Sequence, residues 1–221
     1  QATAIVANGG IKHKPHLMIA TQDPISRKIT PVEKTPPIIL GYKPENVEVV
    51  KNALVGVARE GTSARAFAGT NYVSAGKTGT AQAVTIGQKD KYDAAKLEEA
   101  QRDHAVYMAF APADNPQIAL AVIVENAGFG AEHAAPIARR VFDYWLKGDY
   151  PNEVDMAAVQ VGNAAAPIGA PLKAVDVKLN TTSSASALSG LGLGIAATAN
   201  LASSTPSDAK SSTNGNANNT S

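Results

Sequence analysis

An α+β fold, an antiparallel sheet with helices packed on it, is predicted by three features of this sequence. One segment of small and β-branched residues (73–86) reads as a strand. Two near-continuous apolar runs (105–111 and 118–125) are joined by Pro112-Ala113-Asp114-Asn115-Pro116 and read as a hairpin. Stripes of helical period lie before the first and after the last of them. Strand, hairpin, then helix is the order of an antiparallel sheet covered by helices.

Taken in order, Ala2, Ile5 and Val6 form the final apolar turns of a helix that Asn8-Gly9-Gly10 stops, glycine supplying a left-handed cap. A helix ending by residue 8 is expected to begin before residue 1, so the chain reads as a piece of a longer protein. Residues 17–21 are a short strand candidate, followed by a proline-rich connection through Pro31, Pro36 and Pro37. Across residues 45–59, Val47, Val50, Leu54, Val57 and Ala58 recur at i, i+3, i+7, i+10 and i+11, an amphipathic helix that Gly61-Thr62-Ser63 ends. The charged residues 88–102 are expected to form a solvated loop or short helix. The hairpin strands show no polar alternation and are expected to be covered on both faces. After Gly128-Phe129-Gly130, a helix should bury Ala134, Ile137, Ala138, Val141 and Trp145.

Composition divides the chain near residue 148. Every aromatic residue lies at or before Tyr150, and residues 149–221 hold five acidic and three basic side chains amid Ala, Ser, Thr, Asn and Gly. Such a stretch buries too little apolar surface to offset its ordering entropy. The expected organisation is a folded part at 1–148 and a low-complexity, disordered tail at 149–221. The apolar segment 188–201 is too short and too broken by Gly, Ser and Asn to span about 30 Å of hydrocarbon. A net charge of +1 gives no sign of a nucleic-acid partner. With no cysteine, and with His13, His16, His104 and His133 outside any metal-ligand spacing, neither a metal nor a cofactor is expected. The N-terminus shows no signal sequence and no initiator Met.

The chemistry-bearing run is Lys77-Thr78-Gly79-Thr80. Acyl transfer from a peptide with a free C-terminal carboxylate needs a cation and hydroxyl donors near that carboxylate. It also needs backbone N–H groups aimed at the developing oxyanion. Lys77 can supply the charge, and Thr78 and Thr80 the hydroxyls. The Thr80 N–H can be one oxyanion donor, and Gly79 removes a side chain where the substrate backbone comes close. Lys77 and Thr80 are thus the candidate catalytic residues, and Thr78, Gly79 and Thr80 the candidate substrate-binding ones. Strand alternation sets Lys77 and Thr78 on opposite faces, so both can serve one site only along a strand edge. The bland alternative is coincidence, which would place this run in about 0.3% of chains of this length, or an edge lysine kept for solubility.

Competing motifs fail on spacing or context. Gly76-Lys77-Thr78 resembles the end of a phosphate-binding loop, but Asn71 stands where the first glycine is required and a strand follows instead of a helix. Ser-x-x-Lys occurs as Ser74-Ala-Gly-Lys77, inside the strand, and as Ser207-Asp-Ala-Lys210, in the tail. Ser212-Thr-Asn214 is also in the tail. None sits on the helix that would bring Ser and Lys together. Among general-base candidates, His104 after Asp103 reads more readily as a hydrogen bonder at a strand entry.

Beyond the four-residue run, the chain resembles the end of class B penicillin-binding proteins, most closely the penicillin-binding protein 2 branch of elongation transpeptidases. The resemblance runs collinearly over residues 1–147. It is carried by Ala7-Asn8-Gly9-Gly10, Pro15-His16-Leu17, Val57-Ala58 with Gly61-Thr62-Ser63-Ala64, and Ala75 through Gln82. It continues in Arg102-Asp103-His104-Ala105, Ala109-Phe110-Ala111-Pro112, Val124-Glu125-Asn126 and Ala135-Pro136-Ile137-Ala138-Arg139. It implies a periplasmic enzyme of the bacterial inner membrane, anchored by an upstream transmembrane helix. Such enzymes cross-link peptidoglycan stem peptides ending in D-Ala-D-Ala by serine acyl transfer, are trapped by β-lactams, and work with the cell-elongation machinery. It further implies that the nucleophile and its base lie outside this chain, which should be inactive alone. The alternatives are a D,D-carboxypeptidase or β-lactamase-like relative, or a non-enzymatic binding module with a chance Lys-Thr-Gly.

Overall fold

The computed structural model describes residues 1–84, 92–162 and 165–177. Helix α1 (Ala2–Ala7) stops as its sequence dictates. Gly9 and Gly10 take φ of 81° and 99°, and the Gly10 N–H donates to the Ile5 carbonyl at 2.7 Å. Strand β1 (Ile11–Lys12) pairs antiparallel with β4 (Ile38–Ile39), and β2 (Ala20–Gln22) with β3 (Ile29–Pro31). The expected strand at 17–21 therefore begins only at Ala20, and the proline-rich connection carries strands of its own. Pairings two or three residues long leave no period to read. The β2–β3 turn is built on Asp23, whose Oδ1 accepts from the Ile25 N–H at 3.0 Å and the Ser26 N–H at 2.6 Å. Those hydrogen bonds, with Ser26 foremost, hold the Asp23 carboxyl below the usual range.

Helix α2 (Pro44–Arg59) follows the apolar stripe. It starts with proline in its first turn, and Glu45 and Arg59 are placed to suit its dipole. A short helix α3 (Ala64–Phe67), too brief to announce itself by periodicity, comes next. Strands β5 (Ala75–Ala81), β6 (His104–Ala111) and β7 (Ile118–Val124) form an antiparallel sheet in the order β5-β6-β7, with Thr78 opposite Tyr107 and Tyr107 opposite Val122. The last two positions of the strand expected at 73–86 lie outside the described residues. So do residues 88–91 of the charged segment, whose described part forms two 3-10 turns, Ala94–Lys96 and Glu99–Gln101.

Helix α4 (Gly130–Lys147) lies on one face of this sheet and ends at Gly148, φ 67°. Between them Ala105, Tyr107, Ala109 and Ala111 of the sheet meet Ala134, Ala135, Ala138 and Phe142 of the helix, with Phe67 of α3. The opposite face carries a smaller cluster of Ala75 and Phe110 with Ala7 and Ala113, edged by Leu54 and Val55 of α2. That face is only partly covered along β7, where α1 comes near yet Ala119, Ala121 and Ile123 stay exposed, Ile123 to 66%. Two apolar faces of one strand look alike in sequence whether or not both are covered, so the hairpin expectation fails there. The α4 stripe is also displaced. Val141 and Trp145 are exposed, while Arg139, Arg140 and Asp143 are buried beside Phe142, because ion pairing lets charged side chains enter positions a polarity pattern assigns to solvent.

The expected boundary after residue 148 is also too early. Strand β8 (Asp149–Tyr150) pairs with β9 (Leu172–Lys173), and α5 (Glu153–Gln160), capped by Asn152, lies between them in sequence. One compact unit extends over residues 1–177. The segment holds its place through hydrogen-bonded ion pairs, as Arg140 with Asp155 and Lys147 with Asp149, and through Tyr150, its one aromatic residue, which lies edge-on to Tyr144. Residues 178–221, with the rest of the expected tail, lie outside the described residues. Among the described residues no helix is long and apolar enough to cross a membrane.

Candidate active site

The Lys77-Thr78-Gly79-Thr80 run lies on β5, which pairs with β6 on one side and has no strand partner on the other among the described residues. Two glycines fix how that strand is presented. At Gly130, the first residue of α4, a Cβ would overlap the Val106 carbonyl and come within 2.6 Å of the Gly79 carbonyl. The helix N-terminus thus presses on the ladder where Gly79 and Val106 face each other. With Gly79 turned toward β6, antiparallel alternation directs the N–H and C=O groups of Gly76, Thr78 and Thr80 to the open edge. At Gly76, a Cβ would overlap the Tyr107 hydroxyl and lie 2.6 Å from the ring carbon that bears it.

Tyr107 is fully buried beneath this strand, and burial pushes its phenol up to about 12. Its hydroxyl lies 3.1 Å from Ser63 Oγ, and Ser63 Oγ donates to the Val57 carbonyl at 3.1 Å. Ser63 spends its single proton on Val57, so Tyr107 donates to Ser63. The chain links the end of α2, the following loop and the middle of the sheet.

The four motif side chains are arranged as follows. Lys77 leaves the strand on the face opposite Thr78, but its ammonium turns back and donates to the Thr78 carbonyl at 2.8 Å, bringing its charge to the edge. The Thr78 hydroxyl lies 2.8 Å from that of Thr62. Thr80 is exposed. At Gly79 a Cβ would meet only Val106, at 3.5 Å and beyond, an ordinary contact. The interior therefore demands glycine at 76 and 130, and leaves room for a side chain at 79.

Other candidates have structural work. His104 Nδ1 accepts from the Asn126 N–H at 3.0 Å, tying the start of β6 to a turn in which Asn126 has φ 56°. Ser74 Oγ is buried without a hydrogen-bond partner among the described residues, at the entry to a strand, and forms no helical pair with Lys77. Motif spacing does not reveal Thr62, Ser63 and Tyr107, which reach β5 from 15, 14 and 30 positions away from Lys77 in sequence. No spacing rule joins them, because it is the turn after α2 and the β5–β6 register that bring them together. A cavity of about 800 Å³ between α2 and the turn after β6 includes none of residues 77–80.

Residues 1–143 match the penicillin-binding protein transpeptidase domain. The chain belongs to the penicillin-binding protein transpeptidase family. Peptidoglycan D,D-transpeptidase MrdA of Haemophilus influenzae is 41% identical to it over 155 residues, 68% of this chain and 23% of that protein. MrdA of Acinetobacter baumannii is 41% identical over 162 residues, 72% of this chain and 23% of that protein. Among solved structures, the ceftriaxone acyl-enzyme complex of penicillin-binding protein A from M. tuberculosis is similar with a TM-score of 0.51. It is 29% identical, with 66% of this chain and 31% of that chain covered. The transpeptidase-family chain thus spans less than a quarter of the length of these two MrdA relatives.

Proposed function

We propose that this chain forms one wall of the active site of a peptidoglycan D,D-transpeptidase, which cross-links stem peptides ending in D-Ala-D-Ala and is acylated by β-lactams. The observation that carries this reading is the open β5 edge, along which Lys77, Thr78 and Thr80 present a cation, two hydroxyls and outward backbone N–H groups. In the reaction a serine Oγ attacks the penultimate D-Ala carbonyl, its proton passing to a base, and the terminal D-Ala departs. An amine of a neighbouring stem then takes the acyl group and frees the serine. The Thr80 N–H stabilises the oxyanion of each tetrahedral intermediate, Lys77 adds positive potential, and the Thr78 and Thr80 hydroxyls hold the substrate carboxylate. Gly79 keeps the strand bare where the substrate backbone lies against it, in keeping with the space the interior leaves there.

The serine and its base belong to a part of the protein outside residues 1–221, so this chain alone is inactive. The setting that goes with this reading is the periplasmic side of the inner membrane, with an upstream anchor and the elongation machinery as partner. A D,D-carboxypeptidase would share the acylation step and pass the acyl group to water.

Fluorescent penicillin tests the assignment. The full-length gene product takes up label that boiling in detergent does not remove, and the 221-residue chain takes up none. Stable labelling of the isolated chain would overturn the placement of the nucleophile. Incubation of the full-length protein with peptidoglycan strands separates the two activities, since a transpeptidase yields cross-linked dimers and a carboxypeptidase yields only free D-Ala.

A further inference from the structure

Thr62 and Ser63 are neighbours in the loop between α2 and α3, and they grip opposite members of one cross-strand pair. Ser63 accepts from Tyr107 inside the core, and Thr62 meets Thr78, the residue opposite Tyr107, at 2.8 Å on the outside. The loop that carries them is held at several points. The Gly61 N–H donates to the Gly56 carbonyl at 2.9 Å, and the Ser63 N–H to the Val57 carbonyl at 3.2 Å. A Cβ at Gly61 would stand 2.7 Å from Val57 Cα, so the loop closes directly onto the end of α2. Ser63 is 1% exposed. Thr62 therefore reaches β5 from a fixed base.

A hydroxyl carries one proton, and a carboxylate supplies none. If Thr78 gives its proton to a carboxylate, its oxygen can only accept from Thr62. The contact between the two threonines then has a single polarity, from Thr62 to Thr78 to ligand, and each hydrogen bond polarises the next. Without Thr62 the Thr78 hydroxyl turns among its rotamers and is hydrated, and its proton is not aimed.

We propose that Thr62 is a positioning residue of the carboxylate subsite, donating to Thr78 Oγ1 so that the one proton of Thr78 points at the ligand carboxylate. The inference rests on the assignment of Thr78 to that carboxylate, made above. Thr62 then serves the site from outside the Lys-Thr-Gly-Thr strand, and its loss is felt in carboxylate recognition.

The test uses the full-length protein and two probes, benzylpenicillin and its methyl ester, with the second-order rate of acylation measured for each. Thr62→Val keeps the shape and removes the donor. It should slow acylation by the free acid roughly fivefold to tenfold, the share of one net hydrogen bond, and leave the ester rate unchanged. Thr62→Ser restores the donor and should return the free-acid rate to within about twofold of the parent, on the same hydrogen-bond scale. Thr78→Val should reduce the preference for the acid at least as much as Thr62→Val does, with Thr80 and Lys77 keeping the remainder, and Thr62→Val added to it should slow the enzyme no further. An equal fall for acid and ester in Thr62→Val would make Thr62 a structural residue and overturn the proposal, as would additive losses in the double variant. Thr78→Val with the acid preference intact would instead overturn the reading of Thr78 itself. The unchanged ester rate doubles as the check that Thr62→Val still folds.

Discussion

Against β6, helix α4 presents Ala134, Ala135, Ala138 and Phe142, all fully buried; toward α5 and β8 it presents Arg140 and Lys147, each paired with a carboxylate. The first seam is apolar and built on small residues that let the helix approach the sheet. Phe142 fills it, its ring 6.2 Å from that of Phe67 and edge-on to Tyr72 at 6.4 Å. The second is a charged clasp. Arg140 grips Asp155 with two nitrogens, at 3.0 and 2.6 Å, and donates also to the Ala165 carbonyl at 2.7 Å. Asp155 Oδ1 in turn accepts from the Ile168 N–H at 2.8 Å. Apolar burial is indifferent to which apolar groups meet, so it tolerates repacking. A buried ion pair tolerates only its own partner, since either charge left alone faces its full desolvation penalty. A segment with few large apolar side chains can therefore be ordered by geometry that composition does not reveal.

Breaking each seam separately sharpens the contrast. Phe142→Ala should destabilise the fold by about 3–5 kcal/mol in urea unfolding, through lost transfer energy and a cavity. It should lower the amide protection of β6 and of α5 together. Asp155→Ala strands Arg140 and should cost about 3–5 kcal/mol of docking, but its loss should be confined to α5, β8 and β9 in hydrogen exchange. Equal loss of protection in β6 would mean that the two seams open as one cooperative unit. Replacing both partners, Arg140→Met with Asp155→Leu, should recover most of the docking, because no charge is then left buried.

Acid should act on the second seam first. The Lys173 and Lys147 ammoniums hydrogen-bond Asp149 and hold its carboxyl below the usual carboxylate range. A depressed folded-state value means that this contribution is complete above the unfolded value of about 4 and is lost as pH falls through the lowered one. Amides of β8 and β9 should lose protection on acidification before those of β6, and Asp149→Asn should remove that pH dependence. The smallest effect belongs to Lys173→Ala. Its side chain is largely exposed, so its removal should cost less than about 1 kcal/mol and matter less still at high salt.

The same contrast marks what could be read from the residues. The α2 stripe, the glycine stop after α1, the hairpin and the strand bearing Lys77 are local, repeated or capped, and each was legible. The ordered segment 149–177 was not, because Asp149, Asn152 and Asp155 look like solvent-facing residues until Arg140, Lys147 and Lys173 are beside them. Arg139 shows the same effect inside α4, buried by its bond to Asp143 at 2.8 Å and to the Ala66 and Ala68 carbonyls. Around the candidate site the motif located the strand, and alternation foresaw that Lys77 must work from an edge. The hydroxyl of Thr62 and the Tyr107–Ser63 prop beneath the strand depend on register and a loop turn, which no window of sequence contains.

The glycines of the candidate wall also sort its mutations by what removes them. At 76 and 130 a side chain would enter space held by Tyr107 and by the β5–β6 backbone, so a substitution there must displace the packed interior. At 79 the interior is indifferent. Natural variation at codons 76 and 130 is therefore filtered by folding, whereas at codon 79 the fold sets no such filter.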